Sequence, residues 1–171
     1  GVDVAMMVHP APVDLLYPAF NAIERIVFQY HGKNAHAAMA PHDGVNALDA
    51  VISLFNNVGL ARQQFKPSWR LHGIISHGGV KPNIIPDFTE AYFYARAPTM
   101  AEVQVVKAKL IACAEGAAAA TGCRLEVTNK VNGEAEGLEE MPYEHVRTNS
   151  VLAELYRANA TATRFLPRHV E

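Results

Sequence analysis

Residues 23–31 read Ile23-Glu24-Arg25-Ile26-Val27-Phe28-Gln29-Tyr30-His31. Ile26, Phe28 and Tyr30 fall on one side of an extended chain and Arg25, Gln29 and His31 on the other. That period of two predicts a strand with one buried face, stopped by Gly32. Downstream the period changes. From residue 44 to 64, Val45, Leu48, Val51, Ile52, Phe55 and Val58 recur every three or four positions, which predicts an amphipathic helix ended by Lys66-Pro67. Residues 69–76 and 88–96 read as two more strands, the second with Phe93 facing away from Tyr92 and Tyr94. Between them lie His77-Gly78-Gly79 and Lys81-Pro82-Asn83-Ile84-Ile85-Pro86, a connection dense in breakers. Thr99-Met100-Ala101-Glu102 has the form of a capping box, in which the threonine oxygen meets an orphan backbone N–H and the glutamate reciprocates. The helix behind it is expected to bury Val103, Val106, Leu110, Ala114 and Ala117 and to stop at Gly122, with a fourth strand at 124–129.

The order β-α-β-β-α-β is satisfied most simply by a four-stranded antiparallel sheet with both helices on one face, an α+β, ferredoxin-like fold. The helix-free face is expected to be the wetter one, which accommodates Arg25, Gln29 and His72 on strands. Such a fold hosts many unrelated activities and fixes none of them. On either side the pattern breaks. Val2 to His9 is a short apolar run closed by Pro10, Pro12 and Pro18, which reads as a buried strand and an irregular stretch. Residues 132–140 are rich in Gly and Glu, and helical spacing resumes in Val151, Leu152, Leu155 and Tyr156. The expected division is therefore 1–21, 22–131 and 132–171.

Composition narrows the function classes. The 171 residues are 50% hydrophobic and 19% charged, enough for one ordinary domain with a real core. With 15 basic against 17 acidic residues, a dedicated nucleic-acid binder is not expected. No run of 18 apolar residues exists, so no membrane partner is expected either. Two cysteines, Cys113 and Cys123, do not make a disulfide framework; they either fit a reducing compartment, with the cytoplasm as the expected one, or carry no compartment signal at all. A start at Gly1 without a basic leader reads as a piece of something longer.

Eight histidines offer several candidates for chemistry. His36 is flanked by Ala35, Ala37 and Ala38, so its ring is either an incidental loop residue or one left unshielded to donate a hydrogen bond to a developing oxyanion. His36 and His42 lack a standard metal-ligand spacing. His9, at the end of the first apolar run, is either a core histidine or a ligand at the carboxyl end of a buried strand. Asn83, framed by Pro82 and Pro86, is either a turn residue or a pinned amide. Arg96 either pairs with a strand carboxylate such as Glu90 or forks onto a substrate carboxylate. The cysteines read as packing residues, and no phosphate loop, nucleophile elbow or H-E-x-x-H is present.

Taken in order, four segments resemble one family. They are Met6-Met7-Val8-His9-Pro10; Gly32-Lys33-Asn34-Ala35-His36-Ala37-Ala38 with Pro41, Gly44, Asn46 and Ala47; Gly78-Gly79-Val80-Lys81-Pro82-Asn83-Ile84-Ile85-Pro86; and Tyr94-Ala95-Arg96-Ala97-Pro98. The family is that of the co-catalytic zinc peptidases and amidohydrolases, which contains aminoacylase, carboxypeptidase G and the carnosine-type dipeptidases. Trp69-Arg70-Leu71-His72-Gly73-Ile74-Ile75 is similar to its Xaa-Arg (β-alanyl-lysine) dipeptidase branch.

The resemblance implies a lid that also dimerises, with flanking pieces of an α/β catalytic domain before and after it. It implies zinc, two ions in the parent enzyme, with His9 as one ligand. By the same resemblance His36 steadies the tetrahedral intermediate in a partner's active site, and Asn83 and Arg96 hold the substrate's carbonyl and carboxylate. Expected substrates are dipeptides, above all with a basic C-terminal residue, or N-acyl amino acids, and the expected partner is a second copy in a homodimer. The acidic metal ligands and general base would lie outside the 171 residues, so the chain alone is expected not to hydrolyse anything. Residues 160–171 do not resemble the family's continuation. The competing reading is a free-standing ferredoxin-like binding or assembly module.

Overall fold

A computed structural model of the chain describes residues 12, 15–129 and 142–163. They fall into two compact units, one of Asn21–His145 and one drawn from the flanks, within residues 1–20 and 146–171. The expected first strand and His9 lie outside the described residues.

The larger unit runs β1 (Ala22–His31), α1 (Ala47–Ala61), β2 (Arg70–His77), β3 (Phe88–Ala97), α2 (Met100–Thr121) and β4 (Arg124–Thr128). The strands form one sheet in the order β2-β3-β1-β4, antiparallel throughout. Its α+β, ferredoxin-like architecture is the expected one. Register follows the hydrophobic alternation: Ile26 stands opposite Phe93 and Phe28 opposite Ala91, so the apolar sides of the two central strands share the helix-covered face. Phe28 and Phe93 meet edge to face at 6.0 Å, and Phe55 of α1 lies 4.9 Å from Phe93. Burying each such ring stabilises the fold by about 1.5–3 kcal/mol. Tyr30 is buried among them; its hydroxyl donates to the carbonyl of Ala114 (3.2 Å), and burial pushes its pKa far up.

Caps set the helix ends. Asn46 Oδ1 accepts the Leu48 N–H at 3.0 Å and begins α1. Thr99 Oγ1 accepts the Glu102 N–H at 3.3 Å and begins α2, while Gly122, at φ 74°, ends it in the left-handed conformation. Only half of the expected capping box forms, because the Glu102 carboxylate turns to Lys66 Nζ instead. In α2 the expected buried positions are all buried, joined by Ala118. In α1 the buried set is Ala47, Ala50, Val51, Leu54 and Val58, and Ile52 is 47% exposed. Small Ala47 and Ala50 let the helix sit close to the sheet, which rotates its buried stripe away from Ile52.

The helix-free face is less wet than its sequence suggests. Val27 and Glu90 are fully buried and Arg25 is 5% exposed. Glu90 does not pair with Arg96; its carboxylate accepts from Ser76 Oγ at 2.7 Å and from Gln29 Nε2 at 2.8 Å. Arg25 donates to the Asn129 carbonyl at 2.8 Å and lies over the Tyr92 ring. Polar residues are buried here because they satisfy one another across neighbouring strands.

In the smaller unit, α3 (Ser150–Ala162) is capped by Asn149 Oδ1 on the Leu152 N–H at 3.2 Å, and Tyr17 donates to Glu154 at 2.7 Å. No helix among the described residues is long and apolar enough to cross a membrane.

Candidate functional site

Beyond β1 the chain doubles back at Gly32. A Cβ there would come within 2.0 Å of the Val45 carbonyl oxygen, so only glycine admits the close approach. Lys33 and Val45 exchange two backbone hydrogen bonds of 2.9 Å, which close the loop between them at its base. Its inner side is pinned to the β2–β3 connection: Ile85 N–H donates to the Ala35 carbonyl at 2.9 Å and Ala37 N–H to the Asn83 carbonyl at 3.0 Å. His36 stands opposite Ile84 in this two-stranded clip. Gly79, at φ 108° and with no room for a Cβ beside Pro86, turns the chain into the second arm.

The His36 ring is exposed and oriented. Its Nδ1 accepts the backbone N–H groups of Ala38 (3.3 Å) and Met39 (3.2 Å). A ring nitrogen that accepts twice carries no proton, so in the neutral imidazole the proton sits on Nε2, which faces outward as a donor. Small side chains on either side leave that N–H open to a carbonyl oxygen. Asn83 is exposed on the facing arm. The loops that carry His36 and Asn83, 47 positions apart in sequence, are thus joined through their backbones.

Arg96 is not with them. It lies near the far end of β3, eight residues beyond Phe88, or about 26 Å along an extended strand. There its guanidinium lies 5.6 Å over the Tyr94 ring, and its Nε is buried without a hydrogen-bond partner among the described residues. Tyr94 in turn packs against Tyr92 at 5.1 Å and His72 at 5.7 Å. Burial first, then the Arg96 and Arg62 cations, hold the His72 pKa below the ordinary histidine value. Sequence reasoning passed over His72 and the two tyrosines as site residues. Their signal was the period-two spacing of Tyr92, Tyr94 and Arg96, which puts rings and guanidinium on one face.

Three further histidines do not group for metal binding: His42 is exposed beside Asp43, and His31 and His77 flank the Phe88 ring. Among the described residues no three His, Cys, Asp or Glu side chains converge in a way that could hold a metal. The described part of the chain therefore does not fit a metal centre of its own, and His9 lies outside it.

Comparison with known proteins gives this arrangement a lineage. The sequence pattern of the peptidase dimerisation domain matches residues 21–122. The chain is 41% identical over 159 residues to Xaa-Arg dipeptidase of Mus musculus, covering 93% of this chain and 35% of that protein. It is 46% identical over 127 residues to Xaa-Arg dipeptidase of Homo sapiens, covering 74% of this chain and 29% of that protein. The chain spans about a third of the length of these curated relatives. Its fold is similar to that of an aminobenzoyl-glutamate utilization protein from Klebsiella pneumoniae, with a TM-score of 0.68 at 21% identity over 88% of this chain and 37% of that one. By the match over residues 21–122, the chain belongs to the family of peptidase dimerisation domains.

Proposed function

We propose that the chain is the lid and dimerisation part of a zinc-dependent dipeptidase or related amidohydrolase that acts on dipeptides with a basic C-terminal residue. The observation that carries this reading is His36, exposed, with its Nδ1 tied down and its Nε2–H left free to donate, on a loop whose backbone pairs with the Asn83 arm. The family match favours it over a free-standing module. The basic-residue preference follows the two Xaa-Arg dipeptidases to which the chain is similar.

In this reading His9 would be one ligand of a catalytic metal whose other ligands belong to the rest of the parent protein, and that metal would supply an activated water. The lid's own residues do the rest. His36 Nε2–H donates to the carbonyl oxygen on which negative charge grows, the Asn83 amide orients the substrate, and Arg96 takes its carboxylate in a bidentate fork.

One copy keeps His36 and Arg96 apart; a two-fold pair does not. β2 is an edge strand, with Ile74 61% exposed, and α1, which packs on β3 and β1, exposes Ile52 and Leu60. Pairing two β2 edges about an axis perpendicular to the sheet reverses the strands, so the Arg96 end of one copy lies at the His36 end of the other. The site is then shared. In the full-length protein, His36→Ala is expected to lower kcat by about 10²–10³ on a dipeptide ending in arginine while leaving the dimer intact. A variant with unchanged kcat refutes the assignment.

A further inference from the structure

We propose that Tyr94 is the positioning residue for Arg96: its ring face carries the guanidinium in place of a carboxylate and so keeps the planar N–H fork open for the substrate's carboxylate. The role rests on the reading of Arg96 given above. An arginine paired with an acidic neighbour has its fork occupied and its charge cancelled. Arg96 is held differently. Its guanidinium carbon lies 5.6 Å from the Tyr94 ring centroid, and Glu90, the acidic residue on the same face of β3, is engaged with Ser76 and Gln29. A ring face attracts the cation without using any in-plane donor.

The ring is itself immobilised. Tyr92 packs against it at 5.1 Å and His72 at 5.7 Å, and Tyr92 is in turn covered by Arg25 at 5.8 Å. A continuous row, Arg25, Tyr92, Tyr94 and Arg96, therefore runs along the helix-free face and ends at a half-buried arginine. Buried Nε, without a partner among the described residues, adds one donor aimed inward and unused. Arg62 and Arg96 both act on His72, so two cations stand at this end of the face and attract an incoming carboxylate.

Two measurements test the proposal. On the 171-residue chain, the titration of His72 is followed by histidine NMR, its resonance identified by loss in H72N. Tyr94→Leu should release the guanidinium and let His72 titrate nearer its ordinary range, as Arg96→Gln does, whereas Tyr94→Phe should hold the wild-type curve. In the R96Q background Tyr94→Leu should move His72 much less; an equal shift with and without Arg96 means that Tyr94 acts only by burying His72 and overturns the proposal. In the full-length protein, Tyr94→Leu should raise KM about tenfold with kcat within about twofold, and Tyr94→Phe should restore KM. If Tyr94→Leu does not fold, Tyr94→Thr, suited to a strand, takes its place. A KM unaffected by the leucine or threonine change, where Arg96→Ala raises it, also overturns the proposal. Arg96→Ala without effect on KM instead removes the substrate role of Arg96, and with it the purpose of the ring, while the NMR cycle separately reports whether the contact exists.

Discussion

The backbone N–H of Ala37 donates to the carbonyl of Asn83 at 3.0 Å, so the His36 loop and the Asn83 loop are two arms of one clip. Neither arm needs a side-chain contact to find the other. The imidazole and the amide share an end of the sheet because backbone pairing places them there.

The clip depends on Gly32. Gly32→Ala drives a Cβ against the Val45 carbonyl oxygen, 2.0 Å away, and the backbone must shift to relieve it. Loss of about 1–3 kcal/mol of unfolding free energy is expected, measured by denaturant titration with Trp69, the single tryptophan, as the fluorescent probe. Wild-type stability in Gly32→Ala contradicts the packing described.

Glu90 supports the helix-free face. Replacing it with leucine leaves the Gln29 amide and the Ser76 hydroxyl without their shared acceptor, and about 1–3 kcal/mol of destabilisation is expected from the same titration. If Glu90→Leu is as stable as wild type, the carboxylate is not the acceptor that orders this face.

Acid should loosen the turn before β2. The Lys66 hydrogen bond holds the Glu102 carboxyl below its ordinary value of 4.5, and Lys66 also lies 5.4 Å from the Trp69 ring centroid. A depressed folded-state pKa stabilises above the unfolded value, and that contribution is lost as pH falls through the folded one. Trp69 fluorescence should therefore change on acidification below pH 4.5, and Lys66→Met should remove that step. A step that persists in Lys66→Met assigns it to another group.

Self-association should run through the β2 edge. Ile74→Lys places a charge on its exposed face, and sedimentation equilibrium should show a dimer for wild type and a monomer for the variant, with the far-UV circular dichroism unchanged. An undisturbed dimer in Ile74→Lys moves the interface elsewhere.

Most of the fold was legible because each element carried its own local signal. Alternation over 23–31, the Thr99 cap and the Gly122 stop act within a few residues, and the register follows once the apolar faces are matched. What escaped was set by distant partners. Glu90 reads as a possible partner of Arg96 until Gln29 and Ser76 arrive from the two neighbouring strands, and Glu102 reads as half of a capping box until Lys66 draws it away. The candidate site divides in the same way. His36, Asn83 and Arg96 were each visible as residue types in suggestive surroundings, but their pairing was not. The clip that unites the first two is made by backbone atoms, which sequence does not display, and the distance to Arg96 follows only from the direction of β3.

The most direct test of a site shared between two copies is complementation in the full-length protein. His36→Ala subunits, with kcat lowered, and Arg96→Ala subunits, with KM raised, are mixed and allowed to exchange, and assayed at a substrate concentration where neither homodimer turns over appreciably. A heterodimer then keeps one complete site, His36 from one subunit and Arg96 from the other, and should recover about half of wild-type activity per dimer. No recovery in verified heterodimers would show that both residues serve the same copy, and would contradict the account.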